Sequence, residues 1–165
     1  MAKGLVPIEE TLAALAETPS RLAAATKGVD AAALAAPLQP GEWSGVEILA
    51  HLRACADLWG ANAVAMAEGR DDEIRTTDPE SWPKRADYLR LSFAGSLRAL
   101  ARQRAELLGV LEPLAREEWT RTITVLTWGQ QYPRNVLFYA HRLAGHERSH
   151  CRHLERLFLG RARRP

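Results

Sequence analysis

Apolar residues recur at helical spacing along most of the chain, and the runs are divided by glycine, proline and capping residues. Ile8, Leu12, Leu15 and Leu22 mark a first amphipathic helix over about 7–27, which Gly28 ends and in which Pro19 predicts a kink or break. Beyond Pro37, Pro40 and Gly41, Ser44 stands three residues before Glu47. This capping box opens a second helix to about residue 68, with Ile48, His51, Cys55, Leu58 and Asn62 on one face. Gly69-Arg70-Asp71-Asp72 breaks the pattern. After Asp78-Pro79 and Trp82-Pro83, a third helix is predicted to about residue 108 along Leu89, Phe93, Leu97 and Leu100, closed by Gly109 and Pro113. Thr122, Ile123, Thr124 and Val125 alternate as a strand would. A lone run has no pairing partner, so this segment is expected to be an extended crossing connection, and no strand is predicted. A final helix covers about 133–158. The expected fold is all-α: a four-helix bundle, up-and-down with a long crossover connection.

A chain of 165 residues fits a single domain, 1–165, with a substantial core. A charged fraction of 25% and a net charge of +2 give no reason to expect an acidic partner. The basic end from Arg161 to Arg164 is too short to argue for nucleic acid. No run approaches the roughly 18 apolar residues of a membrane span, and the first residues lack a signal-like apolar region, so no membrane association and a cytoplasmic location are expected. Cys55 and Cys151 stand in no redox or metal spacing, which agrees with a reducing compartment.

The chemistry lies in the histidines. At about 100° per residue, His146, His150 and His153 fall within about 60° of arc. They share that arc with Tyr139 and Leu143, so the imidazoles project where the last helix should bury itself. His51 repeats the arrangement on the second helix. Polar groups are seldom buried without partners, and histidines on two core-facing helices suggest a three-nitrogen metal site with a position left open for water or substrate. Three neutral imidazoles would leave a divalent zinc its full charge, enough to lower the pKa of water to near 7 or to hold a thiolate. His146-Glu147-Arg148-Ser149-His150 also matches the H-E-x-x-H pattern of zinc peptidases, with Glu147 in the place of the base. The third histidine of the longer peptidase pattern is missing, since Arg156 occupies its position, and Glu155 is too close on the same helix to be the distant carboxylate ligand.

Residues 40–52, Pro-Gly-Glu-Trp-Ser-Gly-Val-Glu-Ile-Leu-Ala-His-Leu, followed by His146-Glu147-Arg148-Ser149-His150-Cys151-Arg152-His153-Leu154, resemble the DinB-like superfamily, including its YfiT-like members. Thr18-Pro19 and Glu118-Trp119 carry the likeness over nearly the whole chain. The resemblance implies a four-helix bundle holding a divalent metal, zinc, nickel or in some relatives iron, through His51, His146 and His150. Relatives include thiol-dependent transferases and a mycothiol-dependent isomerase, which implies a metal that activates the sulfur of a low-molecular-weight thiol; the expected activity is transfer of such a thiol, or metal-assisted hydrolysis, on a small electrophile. The alternative is a metal-binding stress-response or scaffold module without turnover. Relatives of this type are often homodimers.

Several residues keep two readings. His153 lies one turn beyond His150 and is a ligand, a support behind the ligands or a rim residue. Glu147 is a weak catalytic candidate against a solvated or structural carboxylate, because it lies about 100° from His146 and about 60° from His150. His141 should face away. Cys55 is a buried filler or a soft ligand, and Asn62 a pocket residue or a satisfied core amide. Trp43, Trp82, Trp119 and Trp128 sit near helix ends or connections, where indoles pin loops to a bundle or line a ligand mouth.

Overall fold

A computed structural model of the chain describes residues 7–37 and 39–159; the basic end and the first six residues lie outside the described residues. The helices are α1 (Ile8–Ala25), α2 (Ala31–Ala35), α3 (Gly45–Cys55), α4 (Ala61–Ala67), α5 (Lys84–Tyr88), α6 (Phe93–Leu111), α7 (Arg116–Thr120) and α8 (Val136–Leu154). A π-helical turn, Ala56–Gly60, joins α3 to α4 as one long rod, and a second, Glu155–Leu159, extends α8. Four long units therefore form the bundle: α1, α3–α4, α6 and α8. α1 packs chiefly against α6 and α8, and α3–α4 against the same two, so the first and second long units lie diagonally across the core. Leu15, Leu22, Ile48, Leu52, Leu100, Leu111, Leu143 and Leu154 fill the interior. Each contributes roughly 1.5–3 kcal/mol by leaving water.

Local chemistry explains the boundaries. The Ser44 hydroxyl accepts from the Glu47 amide at 3.1 Å, and the Glu47 carboxylate accepts from the Ser44 amide at 2.7 Å, so the predicted capping box starts α3. The third predicted helix is in fact two. α5 ends at Tyr88, and Ser92, whose hydroxyl accepts from the Gly95 amide, starts α6 afresh. Leu89, counted as a helix-face residue in sequence, is exposed. Gly109 does not end α6, which runs to Leu111. Pro19 does not break α1. Its ring lacks the N–H that would bond Leu15 O, and Nη1 of the buried Arg104 donates to that carbonyl instead, at 3.0 Å.

The expectation of no strand is overturned. β1 (Ile123–Thr127) and β2 (Gln130–Arg134) pair antiparallel, Thr124 opposite Pro133 and Thr127 opposite Gln130. The two-residue turn, Trp128 at φ 47° and Gly129 at φ 77°, has both residues in the left-handed region, as a type I′ hairpin requires. The partner strand was hidden because it is polar and contains Pro133, which a hairpin edge tolerates. The last helix accordingly starts later than residue 133, at Val136, where the Asn135 side chain accepts from the Phe138 amide at 2.8 Å.

Candidate metal centre

α3 and α8 bring three imidazoles together at the bundle interior. His146 Nε2 lies 3.1 Å from His51 Nε2 and 3.3 Å from His150 Nε2. The rings meet edge to face, with centroids 4.6–5.4 Å apart. Two nitrogens on a tetrahedral zinc with bonds of about 2.0–2.1 Å stand about 3.3 Å apart, so these separations suit a shared ion. The protonation chemistry agrees. Burial pushes His146 down to about 3, helped by His150 and His51, and pushes His150 down to about 4, helped by His51 and His153. Burial also lowers His51, against the opposing pull of Glu80. Neutral rings at pH 7 each keep one lone pair for a cation and one N–H, and the buried Nδ1 of His146 has no hydrogen-bond partner.

A sulfur also approaches the imidazoles. His51, His146 and Cys55 offer donor atoms all within 4.8 Å of one another, with Cys55 Sγ 3.6 Å from His51 Nε2. His150 joins that cluster through His146 rather than through Cys55. The Cys55 thiol is fully buried, and burial raises it far above its ordinary range.

Three side chains that sequence reasoning did not single out complete the surroundings. Glu80, on the 3₁₀ turn Pro79–Ser81, brings Oε1 to 2.6 Å from His51 Nδ1. The alignment falls short of a regular hydrogen bond, but the placement is that of a carboxylate behind a metal-binding imidazole. Its other oxygen is 3.2 Å from Arg85 Nη2. Trp59 sets its ring against His146 at 5.1 Å, and Arg142 lies 4.4 Å above that indole. In a straight helix Trp59 would stand about 80° from His51. The wider π-helical turn carries it back toward the histidine face, and such turns recur at functional sites. Of the tryptophans weighed in sequence, Trp43 does line the site, 5.0 Å from the His51 ring. Trp82 pins the crossover by donating to Asp57 at 2.9 Å, an acceptor it shares with Tyr88 and Gln103. Trp119 is buried, whereas Trp128 is 85% exposed and pins nothing.

The remaining candidates fall elsewhere. Glu147 is fully buried and turned away from the histidines. Its carboxylate accepts from Arg104 at 2.7 and 2.5 Å and from Thr18 Oγ1 at 2.9 Å. A carboxylate held by a guanidinium and a hydroxyl inside the core is a structural group, so the peptidase pattern has no base at the site. Glu155 is held by Arg21 at 2.8 Å. His153 is half-buried and touches the trio only through its field on His150, and His141 is exposed. Asn62 clamps the Arg75 backbone, donating at 2.7 Å and accepting at 3.0 Å. A cavity of about 570 Å³, bordered by Asp57, Asn62, Trp82, Gln103 and Leu107, is lined by none of the histidines.

The fold has close solved counterparts. YfiT from Bacillus subtilis, described as a probable metal-dependent hydrolase with an unusual four-helix bundle topology, superposes with a TM-score of 0.72 at 19% identity, over 95% of this chain and 87% of that one. A protein from Streptococcus pneumoniae superposes with a TM-score of 0.59 at 13% identity, over 95% of this chain and 94% of that one. At these identities the likeness concerns the fold. No curated protein matches the chain. The sequence profile of the DinB superfamily matches residues 14–154, and the chain belongs to that superfamily.

Proposed function

We propose that the protein is a metal-dependent enzyme acting on a small electrophile, with His51, His146 and His150 as the ligands of one divalent ion. Zinc suits the donor set best, with nickel or iron as alternatives. The observation that carries this reading is the approach of three neutral Nε2 atoms to 3.1 and 3.3 Å. Bound there, a divalent ion supplies Lewis-acid chemistry that makes a water or a thiol nucleophilic near neutral pH, so the reaction is hydrolysis or the transfer of a low-molecular-weight thiol. Glu80 orients His51 and is the carboxylate closest to the ligands, the one available to hold a proton beside the site. Trp43 and Trp59 flank the imidazoles. A cytoplasmic homodimer meeting only small molecules fits this reading. Among the described residues no helix is long and apolar enough to cross a membrane.

The test is metal content and turnover together. His51→Ala, His146→Ala and His150→Ala should each lose stoichiometric metal while keeping their helical content, because the core does not depend on the ion. The parent should consume a thiol with a model electrophile, or hydrolyse an activated ester, only when loaded. Full metal retention in His51→Ala would overturn the ligand set.

Cys55 favours a second reading. A nitrogen and a sulfur on one tetrahedral zinc stand about 3.6 Å apart, from bonds of about 2.0–2.1 and 2.3 Å, and Cys55 Sγ lies at that distance from His51 Nε2. With the thiolate as fourth ligand the site would be closed and the protein a binding module without turnover. Cobalt-loaded parent would then show a thiolate charge-transfer band that Cys55→Ala lacks. In the enzyme reading, parent and variant match.

A further inference from the structure

The histidine cluster is bracketed by two indoles, each with a guanidinium over its face: Arg85 5.6 Å from the Trp43 ring and Arg142 4.4 Å from the Trp59 ring. The two cations are not equivalent. Arg85 is mostly buried and neutralised by Glu80 at 3.2 Å. Arg142 is exposed, and among the described residues no carboxylate lies within ion-pair distance of it. It stands one helical turn before His146, which stands one turn before His150, so it continues the ligand stripe of α8 toward the helix start. A guanidinium stacked on an indole loses little freedom when it pairs with a planar anion, and its fork matches a carboxylate.

We propose that Arg142, held on Trp59, is the anion-binding arm of the site, and that the ligand reaching the histidines is a short molecule with a carboxylate at one end and its metal-seeking or reacting group at the other. This assignment of substrate class rests on the open metal site proposed above. The hydroxyl-bearing analogue of such a ligand gains nothing from Arg142, and discrimination follows from the pairing itself.

The experiment titrates cobalt-loaded full-length protein with 3-mercaptopropionate and with 2-mercaptoethanol, reading the visible spectrum of the ion. Arg142→Met keeps the packing on Trp59 without the charge, and Arg142→Lys keeps the charge without the fork. The ratio of the two affinities is the readout, so intrinsic differences between the thiols cancel between proteins. Preference for the carboxylate thiol should fall about five-fold in Arg142→Met, about 1 kcal/mol, and less in Arg142→Lys. Metal content and 2-mercaptoethanol affinity should stay at parental values. An unchanged ratio in Arg142→Met overturns the assignment while leaving the metal site standing. If neither thiol perturbs the cobalt spectrum of the parent, the ion has no open position, and the enzyme reading falls together with this one.

Discussion

α8 carries two polar clusters on neighbouring residues, and they have opposite characters. Glu147 faces α1 and α6, where Arg104 and Thr18 supply donors to both carboxylate oxygens and Arg104 also serves the carbonyl left free by Pro19. Apart from Arg104 Nε, that cluster closes on itself. His146, one residue earlier, turns its Nε2 toward Nε2 of His51 on α3 and Nε2 of His150 on its own helix, while its buried Nδ1 has no hydrogen-bond partner. Burial is common to both, so burial alone does not mark a functional site. What separates them is whether the polar groups satisfy one another: both carboxylate oxygens of Glu147 are bonded, whereas Nδ1 of His51 and Nδ1 of His146 are buried without a hydrogen-bond partner.

The largest expected effect breaks the self-sufficient cluster. Arg104→Met leaves Glu147 charged, buried and unpaired and leaves Leu15 O without a donor, which should cost about 3–5 kcal/mol of fold stability by denaturant unfolding. Metal stoichiometry of the folded fraction should not change. Loss of metal at full folding would mean that the two clusters are coupled and the contrast between them is false.

Next in size is Glu80→Gln. Removing the carboxylate behind His51 should weaken metal binding about 10–100-fold with little loss of stability, because Glu80 is substantially exposed and supports only the ligand. Affinity measured against a competing chelator decides it. A parental value would reduce the 2.6 Å contact to an incidental surface pair.

How much of this was legible in the sequence follows from the range of the interactions. The capping box, the helical periodicity and the i, i+4 histidine pair are local, and the bundle and the convergence of His51 with His146 and His150 follow from them. Arg104 reads as a surface cation until Pro19, on another helix, leaves free the carbonyl of Leu15, 89 residues before Arg104, that draws it inward. Glu80 lies in the crossover and carries no periodic signal, and Arg142, although one turn before His146, stands among many exposed arginines. Trp59 is misplaced by any ideal helix because the π-helical turn changes the register after Cys55. The hairpin escaped because half of it is polar and proline-containing.

The metal-free protein should also respond to pH through the histidines. His146 and His150 are held at about 3 and 4 in the fold, against about 6.5 when unfolded, so between these values the unfolded chain binds more protons than the folded one. Stability is fully present above about pH 6.5 and declines as pH falls toward 4. Thermal unfolding of the apo protein should show that decline, and His146→Gln should flatten part of it. A decline of parental size in the variant would assign the acid sensitivity to other groups.

The smallest effect concerns the start of α3. Ser44→Ala removes the acceptor for the Glu47 amide and should cost about 1 kcal/mol, which for a domain of this size lowers the melting temperature by roughly 2–4 °C. The other half of the box persists, since the Glu47 carboxylate still accepts from the residue 44 amide, and that hydrogen bond holds Glu47 below its ordinary range. Its contribution is present above the usual carboxylate pKa and is lost as pH falls through the lowered one. His51 lies two turns inside the helix, gripped by Glu80 and Trp43, so metal affinity should drop less than in Glu80→Gln. The order of these two affinities is the measurement. If Ser44→Ala weakens metal binding more than Glu80→Gln does, His51 is positioned by the integrity of the helix start rather than by the side chains around its ring, and the histidine cluster depends on backbone order in the way the Arg104–Glu147 cluster depends on charge.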